Sequence, residues 1–151
     1  MVVNKIIYTN KSFDELMKYL NTLDFFEDFL KIIEPIKYEI FTDADIERNN
    51  VTWPVNIIYE DVPKIPLIGL IVPHLLIEQS WKMTDDRILK VNIKSKMLGS
   101  KLFEMDFKCI FRYLGDIEIQ GEWIEKTFLV PDAVLGIILE QFESILEKIL
   151  N

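Results

Sequence analysis

Residues 131–151 read PDAVLGIILEQFESILEKILN, and this stretch decides how the rest of the chain must fold. Val134, Leu135, Ile138, Leu139, Phe142, Ile145, Leu146, Ile149 and Leu150 recur at helical spacing, the pattern of one buried face. Gly136, Glu140, Glu143 and Glu147 lie on the other side. Pro131 suits a first helical turn, and Asp132 sets a negative charge at the positive end of the helix dipole. One long amphipathic helix over 131–151 is therefore expected. Gly136, on its polar side, costs up to about 1 kcal/mol relative to Ala, which suggests close approach by a strand or by residues 65–72. So apolar a helix needs a surface to cover it.

The preceding chain offers that surface as a series of rows with period two. Ile36, Tyr38 and Ile40 alternate with Lys37 and Glu39. Val51, Trp53, Val55, Ile57 and Tyr59 share a face, with Pro54 marking an edge strand or a bulge. Leu75, Ile77, Gln79, Trp81 and Met83 follow, then Asp85-Asp86 as a turn. Leu89, Val91, Ile93, Ser95 and Met97 stand opposite Lys90, Asn92, Lys94 and Lys96, and Gly99-Ser100 turns the chain. Phe103, Met105, Phe107, Cys109, Phe111 and Tyr113 give the cleanest row. Beyond Gly115-Asp116, Ile117, Ile119, Gly121 and Trp123 continue, with Glu125 and Thr127 next in phase. Strands with one dry and one wet face belong to an antiparallel sheet covered on one side.

The chain opens with a β-branched strand over 2–8. Ser12 and Glu15 match a capping box ahead of Phe13, Leu16, Met17 and Leu20. A second helix fits 23–33, with Asp24 as its cap, an apolar stripe of Phe25, Phe26, Phe29, Ile32 and Ile33, and Pro35 as its stop. The order is strand, two short helices, strands joined by short turns, and a long helix. Sequential strands joined this way pair as a meander.

The 151 residues suit one domain over 1–151, 50% hydrophobic and 28% charged. A net charge of −8 argues against nucleic acid, which needs clustered Lys and Arg. Lys90, Lys94, Lys96 and Lys101 gather locally, as a solvated strand face or as an anionic headgroup contact. One Cys excludes an internal disulfide, and one His, His74, leaves too few ligands for a zinc site, so no metal or cofactor is expected. The N-terminus lacks signal-peptide order, and the most apolar window, 65–77, is too short to span a bilayer; a soluble cytoplasmic protein is the expectation.

Residues 62–73 differ in kind. Pro63, Pro66, Gly69 and Pro73 punctuate Ile65, Leu67, Ile68, Leu70, Ile71 and Val72. This segment reads as a lid or membrane-touching loop, as a packed covering of the sheet edge, or as a homodimer contact.

This element order resembles the START-like, or helix-grip, superfamily (SRPBCC), which includes lipid-transfer domains, coenzyme Q-binding proteins and polyketide cyclases. The resemblance spans the whole chain and rests on topology and pattern. A local similarity to PRELI-type phospholipid-transfer proteins lies in Val62-Pro63, Leu67-Ile68-Gly69 and Glu78-Gln79-Ser80, although the helix pair over 12–33 departs from them. The resemblance implies an α+β fold. About seven antiparallel strands wrap the long helix, with two short helices after strand 1 and an apolar cavity between sheet and helix.

Polar residues on the dry rows need a partner, a water or a ligand. They are Tyr38, Tyr59, Gln79, Ser95, Tyr113, Glu125 and Thr127. Buried, Glu125 would have a raised pKa and would serve as an acid or ligand anchor; a slip of pattern at the strand end would instead release it to water. Gln79 would orient a ligand carbonyl or bond a neighbouring strand. Trp53, Trp81, Phe103, Phe107, Cys109, Phe111, Trp123, Ile138 and Phe142 complete the candidate lining, either around a void or as close-packed core. Ile65, Leu67, Ile68, Leu70 and Ile71 form the candidate lid. The reading favours non-catalytic binding of a hydrophobic small molecule or lipid, with transient membrane contact and a homodimer as further partners. Its competitors are a protein-interaction module on a filled START-like fold, and a cyclase or hydratase with Glu125 or Tyr113 as acid–base.

Overall fold

The computed structural model describes residues 2–42, 49–62, 74–112 and 115–151. Its elements are β1 (Val2–Tyr8), α1 (Phe13–Leu20), α2 (Leu23–Ile33), β2 (Lys37–Phe41), β3 (Val55–Asp61), β4 (Leu75–Met83), β5 (Ile88–Met97), β6 (Ser100–Phe111), β7 (Asp116–Lys126) and α3 (Val134–Leu150). The seven strands form one antiparallel sheet in the order β1-β7-β6-β5-β4-β3-β2. Strands β2 to β7 are a meander, and β1 pairs outside β7. The chain therefore starts one edge and next joins the sheet at the other, so α1 and α2 lie between edges β1 and β2. The fold is α+β, a curved sheet with α3 packed against it.

Local chemistry sets the helix ends. Ser12 Oγ accepts from the Glu15 N–H at 3.2 Å and caps α1. Thr22, rather than Asp24, caps α2, its hydroxyl accepting from Phe25 N–H at 3.3 Å. Thr22 precedes the first helical residue, where a side-chain oxygen reaches the open N–H groups; Asp24 is already inside the first turn. Glu34 ends α2 in the left-handed region, φ 54°, and Pro35 follows. Helix α3 begins at Val134, three residues later than its sequence suggests, with no side-chain cap at Ala133. Asp132 bonds Lys126 at 2.8 Å instead of serving the dipole, and that ammonium holds its carboxyl below the usual range. At its far end α3 is tied to β1: Thr9 Oγ1 donates to Leu150 O at 2.8 Å, and Asn151 Nδ2 to Tyr8 O at 3.0 Å.

Two bulges shape the sheet. Ser95 pairs with Phe103 and Lys96 with Lys101, leaving Leu102 as an extra residue in β6. Glu104 pairs with Glu125 and Met105 with Trp123, leaving Ile124 extra in β7. An extra residue bends a strand and tightens its twist, and these two sit side by side on neighbouring strands. Pro54 marks no bulge or edge: it lies just before β3, which is flanked by β2 and β4. The β5–β6 hairpin turns on Leu98 (φ 50°) and Gly99 (φ 82°), one residue earlier than Gly99-Ser100.

An aromatic core lies under the short helices. The fully buried Trp81 indole has Phe25, Phe26 and Phe29 set edge-on at 5.6, 5.5 and 5.1 Å, an arrangement aromatic quadrupoles favour. Phe142 of α3 joins this group at 5.7 Å from Trp81 and 5.0 Å from Phe107. None of the described residues approaches Gly136 closely, because a Cβ built there meets nothing of theirs within 4 Å. On the outer sheet face Lys96 bonds Glu78 at 3.1 Å, and Lys101 bonds Glu104 at 2.8 Å and Glu125 at 2.7 Å.

Candidate functional site

Helix α3 packs chiefly on β1, β7 and α2, towards one side of the sheet. Above β3, β4 and β5 the space between helix and sheet stays open as a cavity of about 590 Å³. That volume falls in the range of about 300–1,000 Å³ typical of ligand pockets. The apolar stripe of α3 is wider than its packed contact. Leu135, Leu139 and Leu146 are buried in the core, whereas Ile137, Ile138 and Ile145 are half-buried and face the cavity. Phe29, Ile32 and Ile33 close the α2 side, and Leu75, Ile77, Ile93 and Phe103 form the sheet wall. These walls are aliphatic and aromatic, as an apolar ligand requires.

One polar group of three interrupts the sheet wall. Ile77 pairs with Tyr59 on one side and Ser95 on the other, and Gln79 stands two residues along the same strand. Trp81 Nε1, which can only donate, bonds Gln79 Oε1 at 3.0 Å. The Gln79 amide is thereby oriented, and its Nε2 donates to the Tyr59 hydroxyl oxygen at 3.1 Å. Burial first, and the nearby Asp61 charge second, push the Tyr59 hydroxyl well above its usual range, so it stays protonated. Ser95 is wholly buried and its hydroxyl has no hydrogen-bond partner among the described residues. An orphaned polar group of this kind costs about 1–3 kcal/mol. Asp61, 5% exposed, also lines the cavity, and its Oδ1 accepts from Val62 N–H at 2.9 Å.

Of the residues singled out in the sequence, Tyr59, Gln79, Ser95, Phe103, Ile138 and Phe142 line this cavity. Trp81, Phe107, Cys109 and Phe111 do not; they are close-packed core beneath the helices, and burial pushes the Cys109 thiol up to about 12. Trp123 is half-buried, edge-on to Phe103 at 5.4 Å, with its indole N–H unpartnered among the described residues. Trp53 belongs to the helix pair: its Nε1 donates to Asn21 Oδ1 at 3.0 Å and its ring meets Phe26 edge-on. Tyr38 keeps the predicted phase opposite Tyr59, yet it is 47% exposed because β2 is an uncovered edge.

Glu125 is the clearest correction. In an unbroken ladder it would stand opposite Phe103 on the dry face. The extra residue Ile124 moves it opposite Glu104 on the wet face, where it is exposed and bonds Lys101. A buried acid at this position is therefore ruled out. Tyr113 and the lid candidates Ile65, Leu67, Ile68, Leu70 and Ile71 lie outside the described residues. Sequence reasoning missed Asp61, Ile93 and Leu75 as lining. Asp61 was within reach, since it extends the Val55-Ile57-Tyr59 row by one step.

His74 is exposed, and among the described residues no three His, Cys, Asp or Glu side chains are grouped to hold a metal ion. No helix among them is long and apolar enough to cross a membrane. No protein-family model matches the chain, and no curated protein matches it.

Proposed function

We propose that this chain binds a hydrophobic small molecule or lipid between its sheet and C-terminal helix, without covalent chemistry, as a cytoplasmic helix-grip protein. The observation that carries the reading is the cavity of about 590 Å³, walled by aliphatic and aromatic side chains. A core filled for stability alone would close such a space, because empty volume forfeits dispersion contacts and burial energy. The same volume speaks against a filled interaction module. The exposure of Glu125 removes one of the two acid–base candidates, and the other, Tyr113, lies outside the described residues.

The test is native mass spectrometry of the purified protein with solvent extraction of anything retained, followed by titration with Nile red, a neutral apolar dye. The proposal expects a co-purified apolar species or saturable dye binding at one site. Failure to retain or bind any apolar molecule would overturn it.

A further inference from the structure

The polar group on the cavity wall carries information about the ligand itself. The Gln79 amide spends its oxygen on Trp81 and one N–H on Tyr59. Its second N–H has no acceptor among the described residues. The Tyr59 oxygen accepts from Gln79, so its own proton points elsewhere, and no described group takes it. Ser95 Oγ, buried and lining the same wall, has neither donor nor acceptor among them. Three unmet donors thus cluster around Ile77, and the amide N–H cannot act as anything else. Partners of this wall are hydrogen-bond acceptors.

Charge narrows the class further. The described lining residues include no Lys, Arg or His; the ionisable carboxyls among them belong to Asp61 and Glu140. Desolvating an anionic headgroup needs a fixed counter-charge, usually a guanidinium or ammonium. The described wall offers neutral donors only. Neutral donors suit an uncharged carbonyl or ether oxygen, which loses little on leaving water if it regains its hydrogen bonds.

Resting on the binding function proposed above, we infer that the ligand is a neutral amphiphile. Its uncharged acceptor oxygen sits against Ser95, Tyr59 and Gln79, its apolar body lies along Ile138 and Ile145 of α3, and free fatty acids are discriminated against. The orphaned hydroxyl is then a recognition element, and the stability lost by burying it is recovered on binding.

The experiment is displacement of Nile red from the full chain at neutral pH by 2-dodecanone and by dodecanoate, matched in length and ionised only in the second case. The ketone is expected to bind about tenfold or more tightly than the carboxylate. Ser95→Ala should weaken the ketone about two- to tenfold while leaving the thermal midpoint unchanged or raised, because it removes an unsatisfied group. Tyr59→Phe should weaken it similarly, and a circular dichroism melt establishes that this variant still folds. If Nile red binds but carboxylate and ketone compete equally, the neutral-ligand inference falls and the cavity reading stands. Ketone affinity unchanged in both variants has the same meaning. If neither dye nor amphiphile binds, both readings fall.

Discussion

Alanine at Gly121 should destabilise this protein even though glycine is a poor strand residue. Gly121 faces the dry side of β7, directly opposite Phe107 of β6. A Cβ built there lies 2.8 Å from Phe107 Cε1, 2.9 Å from Cδ1 and 3.5 Å from Leu139 Cδ1. Carbon atoms prefer about 3.5–4.0 Å, so the ring must withdraw by about 0.7 Å. It has little room, being 1% exposed and backed by Phe142 at 5.0 Å. Overpacking of this kind costs about 1–3 kcal/mol, and the stiffer unfolded chain returns about 0.4–1 kcal/mol. The net loss should be about 1–2 kcal/mol, or roughly 2–8 °C in Tm for a domain of this size. Urea denaturation should show a lower midpoint with an unchanged slope. Adding Phe107→Leu should make the double variant more stable than the two single losses predict, by about 1 kcal/mol. The reasoning is refuted if Gly121→Ala matches the parent, or if the two changes simply add. Gly136→Ala supplies the opposite sign: its Cβ would meet nothing within 4 Å. It should stabilise helix α3 by up to about 1 kcal/mol in the same assay.

Three further outcomes follow from local geometry. Leu98 is 98% exposed in the left-handed region at a two-residue hairpin turn; Leu98→Asn should raise stability by about 1 kcal/mol in thermal melts. Glu125→Gln should leave Nile red affinity unchanged and stability within about 0.5 kcal/mol of the parent, since only an exposed ion pair is altered. Burial holds the Cys109 thiol up to about 12, above its unfolded value near 9. Above about pH 9 the unfolded chain therefore binds fewer protons than the folded one. Stability from this group is complete below pH 9 and should fall by about 1.4 kcal/mol per pH unit towards pH 12. Urea midpoints of Cys109→Ala and the parent, compared from pH 8 to 11, should converge if the thiol is responsible.

The fold was legible because period carries it. The alternation from Leu75 to Trp123 and the helical spacing after Val134 each require a covered face, and one sheet against one helix satisfies both. Register was less legible. A bulge adds one residue without altering composition, so nothing in Trp123-Ile124-Glu125 announces that Glu125 turns outward. The cavity was legible only in part. Dry rows reveal which side chains face inward, and Tyr59, Gln79 and Ser95 stood out there as polar. Rows do not reveal where the covering helix sits, and α3 leans towards β1 and β7. Phe107 therefore meets Phe142 of α3, and Cys109 and Phe111 are buried core, whereas Ile93 and Ser95 line the cavity. That difference arises from packing between elements distant in sequence, which no local pattern encodes.

The space between sheet and α3 is the proposed binding site. Ile138 is half-buried on that wall, and Ile138→Trp would place a larger side chain in the space. Nile red titration of this variant beside the parent is the most direct measurement. An affinity lowered by about tenfold or more, with an unchanged circular dichroism spectrum, is the result the account predicts. Dye binding as tight in the variant as in the parent would contradict it.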